Sequence, residues 1–203
     1  MSAKRFFDLV CTIPGLILLS PLFVLIAFKI KIDSEGPVFF KQTRVGKNGK
    51  LFKIIKFRTM IQNAESKGLQ LTSGNDNRIT QFGRFLRKMK MDELPQLINV
   101  LLGEMSLVGP RPEVPRYVDF YPEQIRKIVL SVLPGITDRT SIEFINEPIL
   151  LSGSNDAERT YIEEIMPIKI KCYVDYVQNQ SLLEDIKIIL DTIKTIIKKN
   201  PSR

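Results

Sequence analysis

The sequence predicts an α+β protein that is mainly helical, and three observations carry that prediction. Leu9 to Phe28 is a run of 20 residues without a charge, long enough for a membrane helix. Apolar residues then recur at helical spacing through most of the remaining chain, ending in a strongly two-faced segment after Ser181. One stretch alone reads as paired strands: Val38-Phe39-Phe40 and Leu51 to Ile55 flank Gly46-Lys47-Asn48-Gly49, the signature of a small β-hairpin. With 203 residues, 44% hydrophobic and 26% charged, the chain suits one folded unit of ordinary size.

The apolar run is interrupted by Pro14-Gly15 and by Ser20-Pro21 near its middle. Pro21 removes an amide donor and crowds the carbonyl four residues back, which favours a kink, and the Ser20 hydroxyl is placed to satisfy the freed carbonyl. Lys4 and Arg5 precede the run and Lys29 and Lys31 follow it, so both flanks favour the cytoplasmic side. These features fit either a re-entrant helix-break-helix or a bitopic anchor with a proline kink. No small-residue cleavage pattern follows Phe28, so the segment is expected to stay in the mature chain.

Past the hairpin, residues 61–77 are polar and glycine-containing and read as a loop. Ile79 to Met89 reads as a helix carrying Arg84, Arg87 and Lys88, and Leu94 to Leu102 as a second helix ended by Gly103. Gly109-Pro110-Arg111-Pro112 must be stiff, because two prolines fix φ and restrict their predecessors. A helix is expected over 117–130, a turn at Pro134-Gly135, and a helical stretch from Asp156 to Val177 interrupted at Pro167. Ser181 and Glu184 form a capping box for a last helix, with Leu182, Leu183, Ile186, Ile189, Leu190, Ile193, Ile196 and Ile197 on one side and charges opposite. Such a helix either lies at a membrane interface or packs on a soluble core. Three segments follow: a membrane segment (1–32), a catalytic part (33–180) and the amphipathic C-terminal helix (181–203).

The absence of histidine removes Ser-His-Asp and Cys-His nucleophile systems and His-ligated metals, so any acid, base or nucleophile is a carboxylate, Lys, Tyr, Ser or Cys. Cys11 and Cys172 have no metal spacing. Charge is lopsided: Lys29 to Lys90 holds 15 Lys and Arg against four acids, whereas residues 91–203 hold 13 against 17. The basic half is built to meet an anion: phosphate, an anionic leaflet or nucleic acid. Nucleic acid is not expected, because Phe39, Phe40, Phe52 and Phe57 fit a hairpin core as well as a stacking platform, and a basic binding module gives adjacent acids no role.

Those acids are Asp92 and Glu93. With Leu94-Pro95 following, Asp92 is expected to cap a helix, where cations at 87, 88 and 90 and free amides favour its ionised form. An ionised Asp beside a phosphoryl group is a potential nucleophile. Glu93 holding a divalent cation, Mg²⁺ being usual with oxygen ligands and a diphosphate, and Arg111 binding phosphate would screen the repulsion between the two anions.

KFRTM at 56–60, GNDNRITQFGRFLRK at 74–88, MDELPQLINVLLGEMSLVGPRPEVPRY at 91–117 and LPGIT at 133–137 resemble the bacterial sugar transferases, the monotopic polyprenyl-phosphate phosphoglycosyl transferases. The resemblance runs over nearly the whole chain and is closest to minimal members made of the catalytic unit. It implies that Asp92 attacks the β-phosphorus of a UDP-sugar, releases UMP and passes the phosphosugar to polyprenol phosphate. A ternary-complex transfer without a covalent intermediate is the rival mechanism. The resemblance also places Glu93, with Asp92, at Mg²⁺ and Arg111 at phosphate, makes Lys56, Arg58 and Arg87 basic walls of the site, and implies a re-entrant helix broken at Ser20-Pro21. The catalytic part then lies on the cytoplasmic face of the bacterial inner membrane, in contact with lipid. After LPGIT many members continue Gly-Trp-Ala-Gln, whereas this chain has Asp138-Arg139-Thr140-Ser141, and Tyr173 stands where an acid is frequent, with Asp175 nearby.

Overall fold

The first element is a helix of 31 residues, α1 (Ala3–Asp33), started by Ser2, whose hydroxyl accepts from the Arg5 amide at 3.2 Å. A computed structural model describes residues 2–64, 76–144, 151 and 156–199, so most of the loop expected at 61–77 lies outside the described residues. The helix-break-helix expectation is corrected in one respect, because α1 stays helical through both Pro14 and Pro21. The Ser20 hydroxyl donates to the Ile17 carbonyl at 2.8 Å, the very carbonyl that Pro21 leaves without an amide, so the lost bond is replaced locally.

The middle of α1 is largely exposed, including Ile17, Leu18, Val24, Leu25 and Phe28. Its two ends are not. Near the start, Lys4 pairs with Asp185 at 2.6 Å, Arg5 donates to the Val100 and Leu101 carbonyls, and buried Asp8 accepts from the Ser106 hydroxyl and the Leu107 amide. Near the finish, Ile26 and Ile30 pack with Phe57 and Leu86.

The hairpin forms as the sequence predicts, with β1 (Phe39–Val45) antiparallel to β2 (Leu51–Phe57) across a 3₁₀ turn at Lys47–Gly49. Asn48 and Gly49 take positive φ there, which their residue types tolerate. Both faces of β2 are covered. Phe52 and Ile54 face Val100 and Met105, whereas Phe57 points the other way, onto α1 and against Phe23 and Phe39.

After α2 (Gln81–Lys88) and α3 (Gln96–Leu102), ended by Gly103 at φ 81, comes a second sheet that the sequence did not announce. β3 (Ser106–Val108) and β4 (Gly135–Thr137) pair in parallel, so Pro134-Gly135 leads into a strand rather than a simple turn. Glycine is required at the crossing, since a Cβ on Gly135 would lie 2.1 Å from the Gly109 nitrogen. The single helix expected over 117–130 is two, α4 (Pro115–Val118) and α5 (Glu123–Val129), because Pro122 cannot continue the first.

Asp138 caps α6 (Arg139–Glu143) by accepting from the Ser141 amide at 2.7 Å. Then α7 (Ala157–Thr160) runs through a π turn, Tyr161–Ile165, into α8 (Met166–Asn179). The wide turn sits just before Pro167 and absorbs the interruption that this proline imposes. Ser181 caps α9 (Leu182–Lys199), accepting from the Glu184 amide at 3.2 Å. This helix buries Asp185 and Ile188 against Tyr176 and Val108, and leaves Leu183, Ile186, Leu190, Ile193 and Ile197 exposed.

Candidate active site

The site is built where α2 meets the end of β2. Thr80 caps α2 by accepting from the Gly83 amide at 3.0 Å, and Gly83 lies so close to Thr59 that a Cβ would meet its carbonyl oxygen at 2.1 Å. That contact brings Arg87, one turn on, to the Thr59 hydroxyl at 2.8 Å. The chain then reverses at Lys90, which takes the left-handed conformation (φ 55), and enters a 3₁₀ turn, Met91–Glu93. Asp92 is therefore inside a tight turn and not a helix cap; Pro95 takes the cap position of α3 with no side-chain bond. The expected proximity to Arg87 holds, but by a route other than capping.

Lys56 reaches the same place by strand periodicity. It shares the face of Phe52 and Ile54, and its ammonium pairs with Glu93 Oε1 at 2.7 Å. Arg111 approaches from the opposite side out of the Pro110-Arg111-Pro112 loop and forks onto both Glu93 oxygens, with Nη1 to Oε2 at 3.2 Å and Nη2 on Oε1. Asn99 fixes the strand relative to the turn: its side-chain oxygen accepts from the Ile55 amide at 3.0 Å and its nitrogen donates to the Lys53 carbonyl at 2.8 Å. Sequence reasoning missed Asn99 and Thr59, although a fully buried Asn among apolar helix residues is itself a signal for a backbone clamp.

The two acids have different surroundings. Glu93 is enclosed by cations; burial alone pushes its carboxyl up, but Arg111, then Lys56 and Lys90, overcome that and hold it well below the usual range. Asp92 is buried with no hydrogen bond to its carboxylate among the described residues, and burial followed by the Glu93 charge pushes its carboxyl up against the pull of Lys56, Arg87 and Lys90. The neighbouring cations favour the ionised Asp92 as expected, but burial and Glu93 outweigh them, and the expected helix cap is not there to help. Burial pushes Lys56 and Arg87 down, with Glu93 and Asp92 respectively opposing it, while Glu93 above all pushes Arg111 up.

Of the residues singled out from the sequence, Asp92, Glu93, Lys56, Arg87 and Arg111 converge. Arg58 does not: it is buried and turned toward the end of α1, where it donates to the Ser34 carbonyl at 2.6 Å and to the Glu35 carbonyl. Ser20 and Pro21 lie in α1 and belong to the membrane segment. Asp138 and Tyr173 are buried, Asp138 close enough for its charge to bear on Arg111, while Asp175 accepts from Asn179 at the surface. Among the described residues no cluster of three metal-ligating side chains exists. The dyad nonetheless fits Mg²⁺, which takes one or two carboxylates and completes its shell with water and substrate phosphate; among the described residues Asp92 has no hydrogen-bond partner and Glu93 Oε2 has one.

The arrangement, a buried and a half-buried carboxylate side by side with Lys56, Arg87 and Arg111 around them, suits phosphoryl chemistry. Three relatives have matching names. The chain is 39% identical over 196 residues to the UDP-N-acetylgalactosamine-undecaprenyl-phosphate N-acetylgalactosaminephosphotransferase of Aeromonas hydrophila, 37% over 196 to the UDP-glucose:undecaprenyl-phosphate glucose-1-phosphate transferase of Caulobacter vibrioides, and 37% over 221 to the undecaprenyl-phosphate galactose phosphotransferase of Salmonella typhimurium. These matches cover 96%, 96% and 97% of this chain and 43%, 69% and 41% of the relatives. The profile of one family matches residues 1–199, and on that span this chain belongs to the bacterial sugar transferases.

Proposed function

We propose that this chain transfers a phosphosugar from a UDP-sugar to polyprenol phosphate through a covalent intermediate on Asp92. One observation carries the assignment: of two adjacent carboxylates, Glu93 is neutralised by Lys56 and Arg111, while buried Asp92 has no hydrogen-bond or ion-pair partner among the described residues. In the first step an Asp92 oxygen bonds to the β-phosphorus, the bond from that phosphorus to the bridging oxygen breaks, and UMP leaves with the oxygen. In the second, a phosphate oxygen of polyprenol phosphate attacks the same phosphorus and Asp92 is released. Arg111 and Arg87 bind phosphate oxygens, and Lys56 keeps Glu93 ionised and in place. Mg²⁺, held by Glu93 and Asp92, would supply charge screening for the diphosphate.

Membrane attachment follows from α1. Both ends of a helix about 46 Å long bind the same folded unit, while its apolar middle is exposed. A helix that enters and leaves one face satisfies this, and a helix whose start lies across the bilayer loses the Lys4–Asp185 pair. Lys and Arg on both flanks put that face in the cytoplasm, which for this family means the bacterial inner membrane. The α9 stripe of Leu183, Ile186, Leu190, Ile193 and Ile197, flanked by Lys187, Lys194 and Lys198, lies at the interface beside the start of α1.

The test is release of UMP by purified protein in lipid nanodiscs, assayed with UDP-glucose, UDP-galactose and UDP-N-acetylgalactosamine, with Mg²⁺ or with chelator, and with or without polyprenol phosphate. Turnover with at least one donor, lost in chelator, is expected. Absence of UMP release from all three donors, in protein that binds nanodiscs and unfolds cooperatively, argues against the reading.

A further inference from the structure

Arg111 has prolines on both sides, so neither neighbour offers an amide to hold the loop. Behind it, Arg44 on β1 donates through Nη1 to the Pro112 carbonyl at 3.0 Å and through Nη2 to Gln42 Oε1 at 2.7 Å. Nη1 also lies 3.7 Å from the carboxylate of Glu113, which is 8% exposed. The Tyr161 hydroxyl, from the π turn, donates to the other Glu113 oxygen, and the Glu113 carbonyl accepts from the Val45 amide at 2.9 Å. Lys169 stands over the Tyr161 ring, 5.1 Å from its centre.

These groups do not enter the reacting centre. They form a buried polar chain from the helix core of α8 through Glu113 and Arg44 to the backbone next to Arg111, whose fork ends on Glu93. Buried charges cost desolvation and contribute uncertain net stability, so their value lies in the single geometry that they impose. We propose that Arg44, Glu113 and the Tyr161 hydroxyl are positioning residues that hold the Pro110-Arg111-Pro112 loop so that the Arg111 fork stays on Glu93 and its guanidinium stands beside the donor's phosphate. The wide π turn is part of this device, because it supplies the hydroxyl at Tyr161. The inference rests on the phosphate-binding role proposed for Arg111.

A double-substitution cycle tests it, with KM and kcat measured on whichever of the three UDP-sugars is turned over, in the full chain in nanodiscs, alongside the unfolding temperature. Arg44→Lys keeps a charge but cannot fork onto Pro112 and Gln42 together, and KM is expected to rise about tenfold with a smaller change in kcat. In an Arg111→Lys background the same change should add less than twofold, since the loop then has no fork to aim. Tyr161→Phe, which keeps the ring, should raise KM about threefold and serves if Arg44→Lys fails to fold. Full additivity with Arg111→Lys, or a lower unfolding temperature with KM unchanged, overturns the positioning role and leaves the reading of Arg111 intact. Near-normal kinetics of Arg111→Lys alone overturns both.

Discussion

At the scale of single residues the site depends on a division of labour between neighbours. The proposed attack needs Asp92 ionised, and burial followed by Glu93 pushes its carboxyl up, so the acid limb of kcat/KM is expected above the ordinary carboxylate value. The sign of each perturbation follows. Glu93→Gln removes a charge that raises Asp92 and should move the limb of the residual activity to lower pH, whereas Lys56→Met removes a charge that lowers it and should move the limb up. A limb that moves the same way in both variants contradicts this electrostatic account. Arg111→Lys loses one of two fork contacts, about 1.5 to 3 kcal/mol, and should cut kcat/KM by about tenfold to a hundredfold. Of six residues that the sequence suggested for the site, five converge, because their chemistry is local to short motifs, whereas Asn99 and Thr59 act through backbone contacts that no motif announces. Arg58 was misread for a physical reason: Lys56 and Arg58 would share a face if the strand continued, but β2 ends at Phe57 and the chain turns.

At the scale of elements, what the sequence reveals depends on how much pattern an element contains. The hairpin and the helices α2, α3 and α9 have enough alternation or periodicity to be located, and their glycine and serine boundaries fall where turn and cap chemistry puts them. The β3–β4 pair has three residues per strand and distant partners, which leaves no periodic signature. The close contact at Gly83 offers an element-level test. Gly83→Ala puts a methyl group into the Thr59 carbonyl, and since the clash is with backbone the helix must shift. It should destabilise by on the order of 1 to 3 kcal/mol in denaturant titration. Activity should fall further than stability explains, because Arg87 moves with the helix. A stable, fully active Gly83→Ala shows that α2 is not held by this contact.

At the scale of the whole molecule, the membrane helix and the catalytic centre form one structure. Arg5 at one end of α1 bonds to α3, and Ile26 and Ile30 at the other pack on β2 and α2, the elements that flank the dyad. In a background where Cys11 and Cys172 are serine, Ala3→Cys and Glu35→Cys should both resist an impermeant thiol reagent applied from outside spheroplasts and react after lysis. Labelling of Ala3→Cys from outside contradicts the one-face topology. Replacing Ser20 and Pro21 by Ala and Leu gives the Ile17 carbonyl a backbone amide again, and should send the start of the chain across and abolish activity. Transfer to a lipid acceptor at this surface, through Asp92, is the claim that joins all three scales. Its most direct measurement is rapid-quench intact mass of the protein mixed with UDP-sugar and Mg²⁺ but no polyprenol phosphate, followed by peptide mapping. The account predicts a gain of one phosphosugar on Asp92, absent in Asp92→Asn. Release of UMP only when polyprenol phosphate is present, with no adduct at any quench time, would contradict it and favour transfer in a ternary complex.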